Sequence, residues 1–241
     1  MQYGISFDFW NTLYANGDED RRRQLRVAYF HRILSKYGNF SLDIIQEAFH
    51  ESTHMFMDHW INDQRTPRPS ERIHFMCDLI GVKIDQKGID NSANYFGQVI
   101  DTIPPITIPA LYDTITSLAK IYSLAIISDT GYISGNHIRR FLEKEKMLSL
   151  FKSQFFSDEH DHCKPHPSVF KLTCEKLNIE CKRLIHIGDL EHTDVKGIKN
   201  VGGISIKFTG SNSSTTADSK ADFVIDNYQD LPAIISKITH A

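Results

Sequence analysis

Leu124-Ala125-Ile126-Ile127 is apolar at every position, and the run stops at Ser128-Asp129. A strand with one wet face alternates apolar and polar residues. A strand apolar throughout is covered on both faces, as happens in a parallel sheet flanked by helices. Similar short runs span Tyr3 to Asp8, Tyr122 to Ser128, Arg183 to Asp189, Ile204 to Phe208 and Phe223 to Asp226. Phe155-Phe156 is a candidate start for one more strand. Helical patterns separate the runs, so the chain reads as α/β, a doubly wound parallel sheet. In such sheets ligands collect beyond the carboxyl ends of the strands. The residues that close each run are therefore the first candidates for a site.

One stretch has a different texture. Between residues 15 and 104 there is no convincing strand, only helical periodicity. Leu25, Tyr29, Ile33 and Tyr37 recur every four residues, and Gly38 is expected to stop that helix. Ser41 is placed to cap a second helix whose apolar face carries Ile45, Phe49 and Phe56. Pro67 and Pro69 punctuate, a third helix is expected near Arg72 to Leu79, and a fourth ends before Pro104-Pro105. The reading is a core made of residues 1–14 and 105–241, with a four-helix insertion at 15–104. Asp18, Glu19 and Asp20 suit a helix's first turn, and Arg21-Arg22-Arg23 reads as a solvated face. The polar run Ser211 to Thr216 reads as a connection rather than a site.

Composition narrows the function classes. In 241 residues, 41% are hydrophobic and 24% charged, the balance of a folded globular chain. No apolar run reaches the roughly 18 residues a membrane helix needs, and Met1 leads directly into Tyr3-Gly4-Ile5 without a signal-peptide core. A net charge of −3 argues against sequence-independent nucleic-acid binding. The four cysteines (77, 163, 174, 181) form no Cys-x-x-Cys pair, which points to a reducing, cytoplasmic setting.

The strand ends carry the chemistry. Asp8 closes the first run, Ser128 the second, and Asp189 the third, directly after Ile187-Gly188; Asp194 follows five residues later. Lys164 stands in Lys164-Pro165-His166-Pro167, just ahead of a helical pattern. Each alone is ordinary, since an Asp after a strand is often only a helix cap. Together, at one edge of a parallel sheet, they assemble a nucleophile, a hydroxyl, an ammonium and two further carboxylates.

In that order and spacing the chain resembles the haloacid dehalogenase-like hydrolase superfamily, over nearly its whole length. The resemblance implies a Rossmann-like core with a helical cap inserted after the first motif. It also implies that Asp8 attacks phosphorus, that Ser128 donates to a phosphoryl oxygen, and that Lys164 pairs with the nucleophile and the transferring group. Mg²⁺ is the expected cofactor, because three neighbouring carboxylates repel one another unless a cation joins them and all-oxygen ligands suit a hard ion. By the same resemblance its ligands are Asp8, Asp189 and the backbone carbonyl of Trp10, with Asp194 acting through water or by holding Lys164. The expected partner is a small phosphorylated metabolite, enclosed by the cap.

One position departs from the pattern. Phosphatases of the superfamily usually carry a second Asp two residues after the nucleophile, which protonates the leaving group and later activates water. Here that residue is Trp10, which transfers no proton at neutral pH. Three readings follow: a phosphohydrolase for good leaving groups or with an acid from the cap; a 2-haloacid dehalogenase, where halide leaves unprotonated and the family has an aromatic at this place; or an impaired enzyme kept for binding. Against the second, those dehalogenases need no metal and lack the Gly-Asp that this chain keeps at 188–189. A phosphonatase-like branch would use a cap lysine, for which Lys36 is the candidate.

Twelve histidines raise a separate question. His50-Glu51-Ser52-Thr53-His54 fits the zinc-protease pattern H-E-x-x-H on a helix. Neither His59 nor Glu71 is well placed as a third ligand, and a solvated or cap-facing pair is the expectation. His186, within a buried strand, reads as a satisfied core histidine. His192, between Asp189 and Asp194, is the loop histidine best placed to meet substrate.

Overall fold

The structure, a computed structural model, describes residues 3–211 and 218–240. Most of the polar run Ser211 to Thr216 lies outside the described residues. The chain divides into two compact units: residues 1–16, 106–129 and 142–241 form one, and 17–105 with 130–141 the other.

The first unit is built on a six-stranded parallel sheet. Its strands are β1 (Gly4–Phe7), β4 (Ser123–Ser128), β5 (Phe151–Phe156), β6 (Leu184–Gly188), β7 (Ile204–Phe208) and β8 (Phe223–Ile225), in the order β5-β4-β1-β6-β7-β8. Two short strands, β2 (Tyr14–Ala15) and β3 (Ile106–Thr107), pair antiparallel beside it. All residues of β1 and β6 are buried, and β4 is buried from Leu124 onward, as an all-apolar strand requires. Phe155 and Phe156 end β5 rather than begin it.

Helices cover the sheet. On one face, α7 (Pro167–Leu177) and α8 (Lys196–Asn200) bury Val169, Phe170, Cys174, Leu177 and Ile198 against Ala125, Ile127, Phe155 and Leu184. Phe7 packs edge-on to Phe151 and stacks with Tyr228. Two further helices, α5 (Leu111–Ala119) and α9 (Leu231–Thr239), contact each other and bury Leu111, Ile115, Leu231 and Ile235.

The second unit holds α1 (Glu19–Leu34), α2 (Leu42–Asn62), α3 (Pro69–Ile80), α4 (Gln86–Thr102) and the start of α6 (Gly135–Lys144). Asp18 caps α1 by accepting from Arg21 N, and Ser41 caps α2 by accepting from Ile44 N. Such caps are worth about 1 kcal/mol each. Gly81 closes α3 with φ 75°, in the left-handed region where glycine pays no Cβ penalty. Phe30, Phe49, Phe96 and Tyr132 form an aromatic centre, with ring centroids 5.3–6.1 Å apart. Truncating one of these phenylalanines to Ala would cost roughly 3–5 kcal/mol.

Helix α1 departs from expectation in phase and length. It ends at Leu34, four residues before Gly38, and its buried residues are Arg22, Arg26, Val27, Phe30, Ile33 and Leu34, of which Ile33 belongs to the expected stripe. Tyr37 is 40% exposed. The solvated face expected of Arg21-Arg22-Arg23 holds for Arg21 and Arg23, but Arg22 is fully buried. A four-residue step from Arg22 to Arg26 to Phe30 puts both guanidiniums on the inward face. Glu19 meets them there: Arg22 Nε donates to its Oε2 at 2.8 Å, and Arg26 Nη1 to its Oε1 at 2.5 Å.

Candidate active site

Parallel strands deliver their last residues to one edge. Phe7 of β1 is level with Ile126 of β4 on one side and Ile187 of β6 on the other. Asp8, Ser128 and Asp189 therefore emerge beside one another from three adjacent strands. Asp8 N donates to Ile187 O at 2.9 Å, which extends the ladder to the candidate nucleophile. The chain then turns sharply: Leu13 N and Tyr14 N both donate to Phe9 O, and Asn11 takes a φ of 55°. Asn tolerates that region better than other residues with a Cβ.

Lys164 reaches the same edge from the loop before α7. Its Nζ donates to Asp8 Oδ1 at 2.8 Å and to Asp194 Oδ1 at 2.6 Å, while its backbone N donates to Asp129 Oδ1 at 3.0 Å. Asp194 sits in a π-helical turn, Glu191–Val195, where its Oδ2 accepts from Leu190 N. A side chain at Gly188 would collide with the Asp194 carboxyl, so this glycine is what lets Asp194 lie against the strand end. Asp8, Asp189, Asp194 and Lys164 are each at most 6% exposed.

His186 is the residue that sequence reasoning undervalued. It is fully buried and satisfied, as expected of a core histidine, but its partner is a site carboxylate: Nε2 lies 3.0 Å from Asp194 Oδ1. Nδ1 lies 2.9 Å from Ser6 Oγ. Burial holds the imidazole below its ordinary pKa despite the neighbouring carboxylate. The neutral ring then donates from Nε2 to Asp194 and accepts from Ser6. The sequence signal was a histidine inside an otherwise apolar strand, two residues before Gly188-Asp189.

Electrostatics follow from this crowding. Burial pushes Asp8 well above the usual carboxylate range; Lys164 opposes the shift, and Asp194 and Asp189 add to it. For Asp194 burial acts upward too, but Lys164 and His186 outweigh it and hold the group below its ordinary value. Burial alone would lower Lys164, yet Asp194 and Asp8 keep its ammonium well above the usual lysine range. One ammonium thus faces several carboxylates. Oxygens of Asp8, Asp189 and Asp194 all lie within 4.8 Å of one another. That buried, all-oxygen set fits a hard divalent cation.

The remaining candidates separate clearly. Ser128 is fully buried at the end of β4, and its Oγ makes one long bond, 3.4 Å to Asp129 O. The indole of Trp10 packs edge-on to Phe9 at 4.9 Å. His192 is exposed. His160 stacks on Phe155, and His162 on His166. In the other unit His50, Glu51 and His54 share one face of α2 with donor atoms within 4.8 Å, and both histidines are exposed. His59 pairs with Asp63, and Glu71 with Arg65, so neither suggested third ligand turns to that cluster. Lys36 is exposed just beyond α1.

A glyceraldehyde 3-phosphate phosphatase of Pyrococcus furiosus is 31% identical over 139 residues, covering 54% of this chain and 55% of that protein. A pyrophosphatase PpaX of Bacillus mycoides is 26% identical over 131 residues, covering 53% and 59%. The chain thus spans about half the length of the curated relatives it matches. Among solved structures, a 2-haloacid dehalogenase of Pseudomonas syringae pv. Tomato DC3000 superposes with a TM-score of 0.72, over 99% of this chain and 100% of that one. Its 18% identity speaks to the fold alone. The profile of the haloacid dehalogenase-like hydrolases matches residues 4–202, from β1 through the last of the site carboxylates. The protein belongs to the haloacid dehalogenase-like hydrolases.

Proposed function

We propose that the protein is a Mg²⁺-dependent phosphohydrolase that cleaves a small phosphorylated metabolite through an aspartyl-phosphate on Asp8. The observation that carries this reading is the bridge of Lys164 Nζ between Asp8 and Asp194, with Asp189 in the same cluster. Asp8 Oδ1 is held by Lys164, which leaves Oδ2 to attack in line. As the Asp8–P bond forms, the bond from phosphorus to the leaving oxygen breaks, and its electron pair departs with that oxygen. Ser128 and Lys164 donate to the phosphoryl oxygens as charge gathers there. Water then cleaves the aspartyl-phosphate, releasing phosphate and restoring the carboxylate. Asp8, Asp189 and Asp194, with the Trp10 carbonyl, would hold Mg²⁺, which supplies positive charge to the transferring group. The helical unit serves as the cap, and four free thiols, of which Cys77, Cys163 and Cys174 are buried, suit a reducing, cytoplasmic setting.

Trp10 favours one second reading, 2-haloacid dehalogenation with an aspartyl-ester on Asp8, because halide needs no proton to leave. The carboxylate cluster and the relatives named as phosphatases favour phosphate. A screen decides between them. Phosphorylated metabolites, beginning with glyceraldehyde 3-phosphate and pyrophosphate, and 2-haloacids are each offered with Mg²⁺ and with EDTA. Phosphate release only with Mg²⁺ is the expected result. Halide release that survives EDTA would replace it with the second reading, and turnover of neither would overturn both.

A further inference from the structure

A second cluster of metal-ligating side chains stands in the helical unit. Helix α2 carries Asp43, Glu47, Glu51 and Asp58 but no lysine or arginine, so it supplies no permanent cation to those carboxylates. His50 and His54, one turn apart on the same face, have ring centroids 4.2 Å from each other. Glu51 turns toward the pair, with its Oε1 3.6 Å from His54 Nδ1. One donor atom from each of the three lies within 4.8 Å of the others. Among the described residues, only the sheet-edge carboxylates form another such cluster.

The backbone beneath the cluster is fixed from its inner side. Phe49 belongs to the aromatic centre of the unit. Ser52 is fully buried, and its Oγ accepts from Arg72 Nε at 3.0 Å and bonds Tyr132 Oη at 2.9 Å. The turn that carries both histidines is therefore held in place, while the imidazoles stand outside: the His54 side chain is 60% exposed and that of Glu51 42%. A zinc ion about 2.1 Å from each of its tetrahedral ligands needs donor atoms roughly 3.4 Å apart. Side-chain rotation at exposed positions closes that distance without moving the helix. Two imidazole nitrogens and one carboxylate suit Zn²⁺, Ni²⁺ or Cu²⁺, whereas Mg²⁺ keeps to oxygen. The all-oxygen sheet edge has the opposite preference.

We propose that His50, Glu51 and His54 form a second metal site, on the exposed face of α2, which takes a divalent transition metal such as Zn²⁺. Three protein ligands leave the fourth tetrahedral position to water. The arrangement differs from the zinc-protease use of H-E-x-x-H, in which the glutamate works as general base. Here Glu51 is itself a ligand, so the site needs no residue from elsewhere in the chain. It stands independently of the phosphohydrolase reading.

Calorimetry tests this with Zn²⁺ as the probe, on full-length protein freed of metal and supplied with excess Mg²⁺ to compete at the sheet edge. One equivalent of Zn²⁺ should bind in the micromolar range. His50→Ala and His54→Ala should each weaken that binding at least about tenfold, since losing a ligand costs no less than losing a residue that supports one. Glu51→Gln keeps the size and removes the charge, and should weaken binding by a smaller, measurable factor. Alanine is well tolerated on an exposed helix face, so without zinc the histidine variants should melt close to the wild-type temperature. Zn²⁺ should then raise the melting temperature of the wild type more than that of either variant. Electron paramagnetic resonance with one equivalent of Cu²⁺ counts the ligands: two nitrogen donors are expected in the wild type and one in either histidine variant. No zinc binding in the micromolar range overturns the site, as does zinc binding or a copper spectrum unchanged in both histidine variants. Zinc binding by Glu51→Gln as tight as wild type overturns the assignment of Glu51 as a ligand.

Discussion

The two units bury charge of opposite sign. At the sheet edge of the first, one ammonium, Lys164, is set among Asp8, Asp194 and Asp189. In the helical unit the guanidiniums of Arg22, Arg26 and Arg72 are buried, and Glu19, whose side chain is 48% exposed, pairs with the first two. Both keep charge away from water, and buried charge is costly to keep unless it is paired. The contrast teaches how differently the two regions hold buried charge: at the sheet edge carboxylates outnumber the one ammonium, which is the arrangement the proposed cation would complete, whereas in the helical unit hydroxyls, rings and backbone carbonyls share the guanidiniums with Glu19.

The largest effect should come from the nucleophile. Asp8→Asn removes the attacking oxygen, and kcat should fall by about 10⁴ or more when phosphate release is assayed. Removing the cation comes next: Lys164→Ala should lower kcat by at least about 10². It leaves buried carboxylates without their ammonium, so the melting temperature should drop as well, with Mg²⁺ restoring part of the loss. A near-normal kcat in Lys164→Ala would mean that the pairing is structural only.

The metal side of the contrast is sharpened by calorimetry. Mg²⁺ should raise the wild-type melting temperature by binding the folded state, and Asp189→Asn should weaken that response. No Mg²⁺ binding in the millimolar range would break the assignment. Trp10 adds a kinetic test. Without a carboxylic acid at that position the rate should fall steeply as the leaving group's pKa rises, and Trp10→Asp should flatten the dependence. General acid catalysis is worth about 10² to 10⁴, so the change should be largest for alkyl esters.

The smallest effect belongs to Glu19. Burial acts to raise its pKa, but Arg26 and Arg22 outweigh burial and hold the carboxylate below its ordinary value. A depressed carboxylate contributes stability above its unfolded pKa, about 4.3, and loses it as pH falls through the folded value. Glu19→Gln should therefore lower the melting temperature at neutral pH, and the gap from wild type should close in acid below about pH 4. A constant gap across that range would mean that the pairing with the arginines adds nothing.

Much of the first unit could be read without coordinates because its signals are local. Apolar runs that stop at Asp8, Ser128 and Asp189 mark both the strands and the edge where they meet, and Lys164-Pro165 marks the loop that returns to it. The helical unit was harder. Leu25, Tyr29, Ile33 and Tyr37 suggest one stripe for α1; the helix does bury Ile33, but it buries Arg22, Arg26 and Phe30 one position out of phase. Charged residues are read as solvated by default, and only a partner distant in sequence reveals otherwise; Phe96 O, which accepts from Arg26, is 70 residues away. His186 was hidden for the same reason, since its two partners come from β1 and from the turn after β6. Nor did any local pattern tie residues 130–141 to the helices rather than to the sheet they follow.

The central claim is that Asp8 itself carries the phosphoryl group. Acid quenching during turnover of a reactive phosphate ester, followed by mass analysis of the peptide containing Asp8, tests it directly. The account predicts a phosphoryl adduct on Asp8, abundant because no acid at Trp10 speeds its hydrolysis, formed only with Mg²⁺ and absent from Asp8→Asn. Steady phosphate release with Asp8 unmodified throughout, or by Asp8→Asn at an undiminished rate, would contradict it.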